Sequence, residues 1–167
     1  YSVQRHKAFK YYFKRFLILM LCASVISIFS LIFFPKYWIF NGILHFFAYA
    51  TLLNYFLFVK FNKPPYLLLP ILFLSAILPN YLSDNIFLNI IGVSPLTINT
   101  LDFFPLLPWY KYVLIGYFIV NPLIDVFGFD KLFKKSNVIT WLGSKTLLIY
   151  MVHPLLILLI FLYLTRF

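Results

Sequence analysis

A chain of 167 residues that is 63% hydrophobic and 23% aromatic, with only 11% charged and a mean hydropathy of +0.94, is far more apolar than a soluble domain. A soluble fold of this size has too little interior to hide so much Leu, Ile and Phe, whereas helices in lipid stay apolar on every side. The net charge of +10 gathers at the ends of apolar runs rather than along one face, which argues against nucleic acid as a partner.

The chain opens at Tyr1 with the basic stretch Arg5-His6-Lys7. With Tyr1 and no initiator Met at its start, the chain is expected to be processed or to be a piece of something longer; the apolar run that follows is too long for a signal peptide and has no small-residue cleavage site. The expected fold is all-α: a polytopic transmembrane helix bundle of about five spans forming a single transmembrane domain, residues 1–167. The first span runs over about 16–34 and stops at Pro35. The second covers about 39–59, ahead of Lys60, Lys63, Pro64 and Pro65. The third, about 66–79, is short and contains Pro70, which predicts a tilted or partly buried helix. A long connection to Phe103 mixes Asn, Asp and Gly with apolar Ile86 to Ile91, the pattern of a loop folded back on the membrane around a short helix. The fourth span covers about 104–127, with Pro122 near its end, and the fifth about 140–164, holding Pro154.

Positive charge fixes the expected orientation. With five spans, eleven of the fourteen Lys and Arg fall on one side, leaving only Lys36, Lys111 and Arg166 on the other. The amino terminus is therefore expected inside. Tyr37-Trp38 and Trp109-Tyr110 at the outer ends, and Tyr11-Tyr12 and Trp141 at the inner ends, fit interfacial aromatic belts.

Three residues stand out for chemistry. His45 lies inside the second span, and Asn41, His45 and Tyr49 follow at i, i+4 and i+8 as on one helix face. An ionisable residue inside a span usually faces protein or a water-filled cavity; the plainer reading is a neutral His bonded to a neighbouring helix. His153 shares a face with Thr146 and Tyr150, and Pro154 frees a backbone carbonyl near Tyr150. Asp102 precedes a Pro-braced helix entry, Pro105-Leu-Leu-Pro108-Trp109, where a carboxylate can orient a His or an amine or simply cap the helix it precedes. Asp125 and Asp130 lie toward the basic side and balance charge. Cys22 is alone in an apolar run and His6 is in a basic segment, so no metal site is expected. Intramembrane His and a broken short helix also suit a transporter or channel.

The stretch Phe40-Asn41-Gly42-Ile43-Leu44-His45-Phe46-Phe47-Ala48 resembles the Phe-Gly-Ile-Leu-His signature of the heparan-alpha-glucosaminide N-acetyltransferase-like membrane family. Asp102 to Trp109, followed by Gly116, is similar to that family's second block. Trp141-Leu-Gly143-Ser144 with Ile149-Tyr150 and His153-Pro154 is similar to its last helix, a pattern shared loosely with broader membrane O-acyltransferases. The resemblance implies transfer of acetyl from cytosolic acetyl-CoA to an amino sugar or glycan across the membrane. It implies His45, His153 and Asp102 as catalytic candidates and Asn41, Tyr49, Trp109 and Tyr150 as substrate-binding ones. It also implies roughly two earlier helices carrying a His that takes part in the transfer, for which this chain has no counterpart. A non-catalytic membrane subunit or a degenerate remnant is the alternative this leaves. The expected partners are the lipid bilayer and the acceptor, with a homo-oligomer open, and the expected location is a bacterial inner (cell) membrane.

Overall fold

In the computed structural model the described residues are 8–60, 70, 73, 85–93, 100–128 and 137–164. They are all-helical, with no β-strand among them. The third expected span, 66–79, lies outside them apart from Pro70 and Phe73. Six α-helices result: α1 Phe9–Phe33, α2 Ile43–Asn54, α3 Ile86–Ile91, α4 Leu106–Phe127, α5 Asn137–Ser144 and α6 Thr146–Leu164. A π-helical turn, Tyr55–Lys60, continues α2.

Helix α1 is long because nothing in 25 residues breaks it, and it stops where Phe34 must turn extended before Pro35. It starts seven residues earlier than the apolar run, taking in Lys10, Lys14 and Arg15. Their aliphatic stems extend the helix while their charged heads can reach out of an apolar zone. Leu21 and Ile32 are 67% and 68% exposed, an arrangement that water would penalise and lipid would not. The buried residues Tyr12, Ala23 and Ser30 lie within about 20° of one another around the helix axis. That narrow stripe is the packing face.

Helix α2 is buried on two sides. Leu44, Phe46, Ala48 and Ala50 are buried, a spacing of two that on a helix means opposite faces. Phe46 and Ala50 join Phe58, Tyr110 and Leu114 in the core cluster, so this face meets α4. The other side leads to Tyr55, whose ring lies 5.1 Å from those of both Phe9 and Tyr12 of α1. Small Ala48, fully buried at 0% exposure, lets a neighbouring backbone approach closely. The π turn carries Phe58 onto Tyr117, stacked at 4.3 Å with an interplanar angle of 14°.

By length and composition, Phe9–Phe33 and Ile43–Lys60 are able to cross a membrane, and Leu106–Val120 is a shorter apolar stretch. Helix α3 confirms the expected short helix in the long connection. It ends on Gly92 at φ 91°, a left-handed conformation that favours glycine. A Cβ there would stand 2.9 Å from Cβ of Pro105, so α3 is docked on the entry to α4. Pro108 is tolerated because it sits in the first turn, where N–H groups have no partner within the helix.

Two compact units are present, Tyr1–Ile119 and Val120–Phe167. In the second, the stretch over 140–164 is covered by α5 and α6, with one turn residue between them. The Thr146 hydroxyl lies 3.3 Å from the Leu142 carbonyl and 2.9 Å from that of Gly143, and Lys145 forms the turn between them. A side-chain oxygen competing for helix carbonyls is a known cause of such a break.

Candidate active site

Between α1 and α2 the chain runs extended and pairs with the segment entering α4. The N–H of Leu101 donates to the Tyr37 carbonyl at 3.0 Å and that of Phe104 to the Asn41 carbonyl at 2.8 Å. Asn41 and Phe103 form an isolated parallel bridge. The Asn41 side chain adds a third tie, Nδ2 donating to the Phe104 carbonyl at 3.0 Å, and the residue is only 1% exposed. The Thr100 hydroxyl lies 2.8 Å from the Trp38 carbonyl, and the Ile39 N–H donates to Ser30 Oγ of α1 at 2.8 Å. Two stretches about sixty residues apart in sequence are thereby locked at one end of the first unit.

This lock brings Asp102 to the start of α2. Its Oδ2 accepts the Ile43 N–H at 3.1 Å, one of the helix donors that has no partner inside the helix. A carboxylate there also meets the positive end of the helix dipole. Gly42 is required by this contact rather than by its backbone, which is extended at φ −79° and ψ −176°. A Cβ on it would lie 2.6 Å from Asp102 Oδ2 and 2.8 Å from Ile39 Cγ2. Burial pushes the Asp102 carboxyl above its ordinary range, while the Ile43 N–H and the charge of nearby His45 act in the opposite direction. His45 is in the first turn of α2 and only partly exposed. The carboxyl and the imidazole thus feel each other's charge at the start of α2.

On the side of α2 that meets α4 runs an open groove of about 320 Å³, lined by Ile43, Phe46 and Phe47 of α2 and by Phe104, Trp109 and Val113 at the start of α4. Tyr112 completes it, with the Lys111 ammonium 5.2 Å from the centre of its ring. Deeper in the packing between α2 and α4, the Tyr110 hydroxyl donates to Asn54 Oδ1 at 2.6 Å. A polar pair among apolar side chains must satisfy itself in this way.

The structure thus gathers Asn41, His45, Asp102 and Trp109 at one end of the first unit. Tyr49 lies one turn beyond His45 on α2 and is half-buried. One expectation is corrected: Asn41 does not share a helix face with His45 and Tyr49, because α2 starts at Ile43. Asn41 instead holds the entry to α4. Asp102 does cap a helix, but α2 and not α4, which it precedes. His153 and Tyr150 belong to the second unit, where Nδ1 of His153 lies 2.6 Å from the Tyr150 carbonyl. Pro154 has no N–H to offer that carbonyl, so the imidazole meets the group that the proline leaves. Such a bond places the proton on Nδ1 and leaves Nε2 as the basic nitrogen. Among the described residues there is no group of three or more His, Cys, Asp or Glu able to hold a metal.

Sequence reasoning missed Thr100, Phe104 and the groove residues Phe46, Phe47 and Val113. Their roles come from a pairing between segments far apart in the chain, and only Trp109 carried a local signal. Phe40–Ala48, Asp102–Trp109 and Trp141–Pro154 all fall within the residues over which the chain compares with a known family. No curated protein and no solved structure matches the chain. The model of the heparan-alpha-glucosaminide N-acetyltransferase catalytic family matches residues 1–155, and the chain belongs to that family.

Proposed function

We propose that this protein is a membrane-embedded acetyltransferase that moves acetyl from acetyl-CoA to the amine of an amino sugar or glycan on the other side of the bilayer. The observation that carries this reading is the 3.1 Å bond from the Ile43 N–H to Asp102. It joins the two sequence blocks most characteristic of the family, Gly42–His45 and Asp102–Trp109, into one site. In the acceptor step the amine nitrogen attacks the acetyl carbonyl carbon and forms the C–N bond. The bond to the carrier atom breaks, the carrier keeping the electron pair. The proton that nitrogen gives up passes to His45, and Asp102 stabilises the resulting imidazolium. Trp109 positions the acceptor, Asn41 holds the segment that carries it, and Tyr49 extends the face of α2 that bears His45. Within the second unit, His153, with Nε2 as its basic nitrogen, and Tyr150 are further candidates for handling acetyl.

The donor end is supported by charge. The contacts of Phe9 and Tyr12 with Tyr55 place the end of α1 that bears Lys10, Lys14 and Arg15 beside the π turn that ends in Lys60. Those cations suit the phosphates of coenzyme A. They lie roughly 25 Å along α2 from Ile43, about the thickness of a hydrocarbon core. The accompanying topology is a single transmembrane domain of five spans in a cell membrane, with the amino terminus and the donor site in the cytoplasm and His45 toward the far side.

The test is acceptor-dependent release of free coenzyme A from acetyl-CoA by membranes holding the protein, across a panel of amino sugars and hydroxylated glycans. Release with an amino sugar is expected. No release with any acceptor would move the reading to transport, measured next as proton or solute flux in liposomes.

A further inference from the structure

The cations at the amino-terminal end of the first unit do not share one face. The buried stripe of α1, Tyr12, Ala23 and Ser30, marks its packing side, and from it the Tyr12 ring meets Tyr55 at the end of α2. At 100° per residue, Lys10 and Lys14 lie roughly 150–170° around the axis from that stripe. Arg15 lies only about 65° from it, and Lys60 is on the π turn itself. Lys10 and Lys14 are exposed and one turn apart, so they look away from α2 together.

Their own helix does not answer these two charges. Helix α1 holds no Asp or Glu, and the chain's four acids are Asp84, Asp102, Asp125 and Asp130. Positive charge in the first turns of a helix also opposes its dipole, so the helix gains nothing from them. Depth in the membrane points to the partner. Counted back from Phe33, where α1 ends, a hydrocarbon core of about 30 Å takes up roughly 20 residues. Lys14 then stands at the edge of the hydrocarbon, and Lys10, about 6 Å farther along the axis, stands among the headgroups. Tyr11, also exposed, projects between Lys14 and Arg15 at the same level, where phenol rings gather. Two ammonium groups on one outward face, at the depth of the lipid phosphates, complement a negatively charged headgroup.

We propose that Lys10 and Lys14 form a docking face for anionic phospholipid, with the headgroup phosphate between the two ammonium groups. This rests on α1 being a membrane span. It goes beyond the acetyltransferase reading and narrows that reading's donor cations to Arg15 and Lys60.

The full chain, purified in mild detergent, is titrated with dioleoyl phosphatidylglycerol or with dioleoyl phosphatidylcholine, which share their tails and differ in charge. Retained lipid is counted by native mass spectrometry. Each cation near an anionic lipid is worth roughly fivefold in affinity. The two lysines should therefore give phosphatidylglycerol a saturable preference of about 25-fold. Lys10→Gln with Lys14→Gln should remove that preference, and Lys10→Arg with Lys14→Arg should keep it. Lys36→Gln, past the other end of α1, should leave it unchanged. Equal retention of the two lipids by the unaltered protein would overturn the proposal while leaving α1 a span. A preference undiminished in the double Gln variant, or reduced as far by Lys36→Gln, would overturn it by tracing the effect to net charge. Release of phosphatidylglycerol by millimolar coenzyme A would overturn it by giving the lysines to the donor. Retention of neither lipid would overturn it together with the reading of α1 as a span. The comparison of the two lipids uses the unaltered protein, so it stands if a variant does not fold.

Discussion

Replacing Gly42 by Ala tests the junction of the two sequence blocks at its tightest point. The new Cβ would stand 2.6 Å from Asp102 Oδ2 and 2.8 Å from Ile39 Cγ2. Ordinary contact begins near 3.4 Å, so the carboxylate must retreat by about 0.8 Å, against a bond to Ile43 that is already 3.1 Å long. A hydrogen bond stretched that far is lost. Ala tolerates the extended backbone at this position, so the effect is steric and local. A hydrogen bond to a charged group contributes about 1.5–3 kcal/mol when buried. Asp102 is only partly buried, which lowers the expectation to about 1–2 kcal/mol. Thermal melting of the detergent-purified protein should show this loss for Gly42→Ala. The part of the melting change that comes from the carboxylate should vanish when Gly42→Ala is made in an Asp102→Ala background, leaving only the contact with Ile39 Cγ2. Fully additive losses, with no part of the Gly42→Ala effect depending on Asp102, would refute the reasoning, as would a Gly42→Ala protein with unchanged melting and turnover.

Three further outcomes follow from the same geometry. Burial raises the Asp102 carboxyl above its ordinary range, so the folded state favours its protonated form; the stability this contributes is full below the ordinary carboxylate pKa and is lost as pH rises through the raised value. Melting followed across that window should lose this component in Asp102→Asn, and an unchanged profile would show that another group sets it. Tyr110→Phe removes the donor to Asn54 Oδ1 and should lower stability by about 0.6–1.7 kcal/mol in detergent melts, with a silent variant contradicting the role given to the pair. His45→Gln keeps a hydrogen-bonding group of similar bulk but removes the titrating ring, so turnover should drop by about 10²–10⁴ while melting stays put; full turnover would remove His45 from the chemistry.

What was legible in the sequence was the helical class and the places where prolines act. Pro35 stops α1 as its residue type requires. Charge misled at the start of α1, because Lys10, Lys14 and Arg15 look like a boundary yet lie inside the helix. Asn41 was read on helical spacing because i, i+4 and i+8 fit His45 and Tyr49. The extended pairing with Phe104 overrides that periodicity, and no local signal announces it. The π turn at Tyr55–Lys60 likewise has no sequence signature, since its extra residue is accommodated by aromatic packing against Phe9, Tyr12 and Tyr117. Asp102 was recognisable as a carboxylate at a helix entry, but its partner helix was set by a contact across 59 residues. Residues that act through distant pairing were the ones left unread.

Transfer of acetyl through the membrane stands or falls on sidedness. The full chain is reconstituted in liposomes with acetyl-CoA sealed on the side of Lys10 and Lys60 and an amino sugar only on the side of Asp102. The account predicts N-acetylated sugar on the acceptor side, detected by mass and absent from liposomes lacking protein, with a matching amount of free coenzyme A retained on the donor side. Acetylated sugar forming only when both substrates share one compartment, or not forming at all, would contradict it.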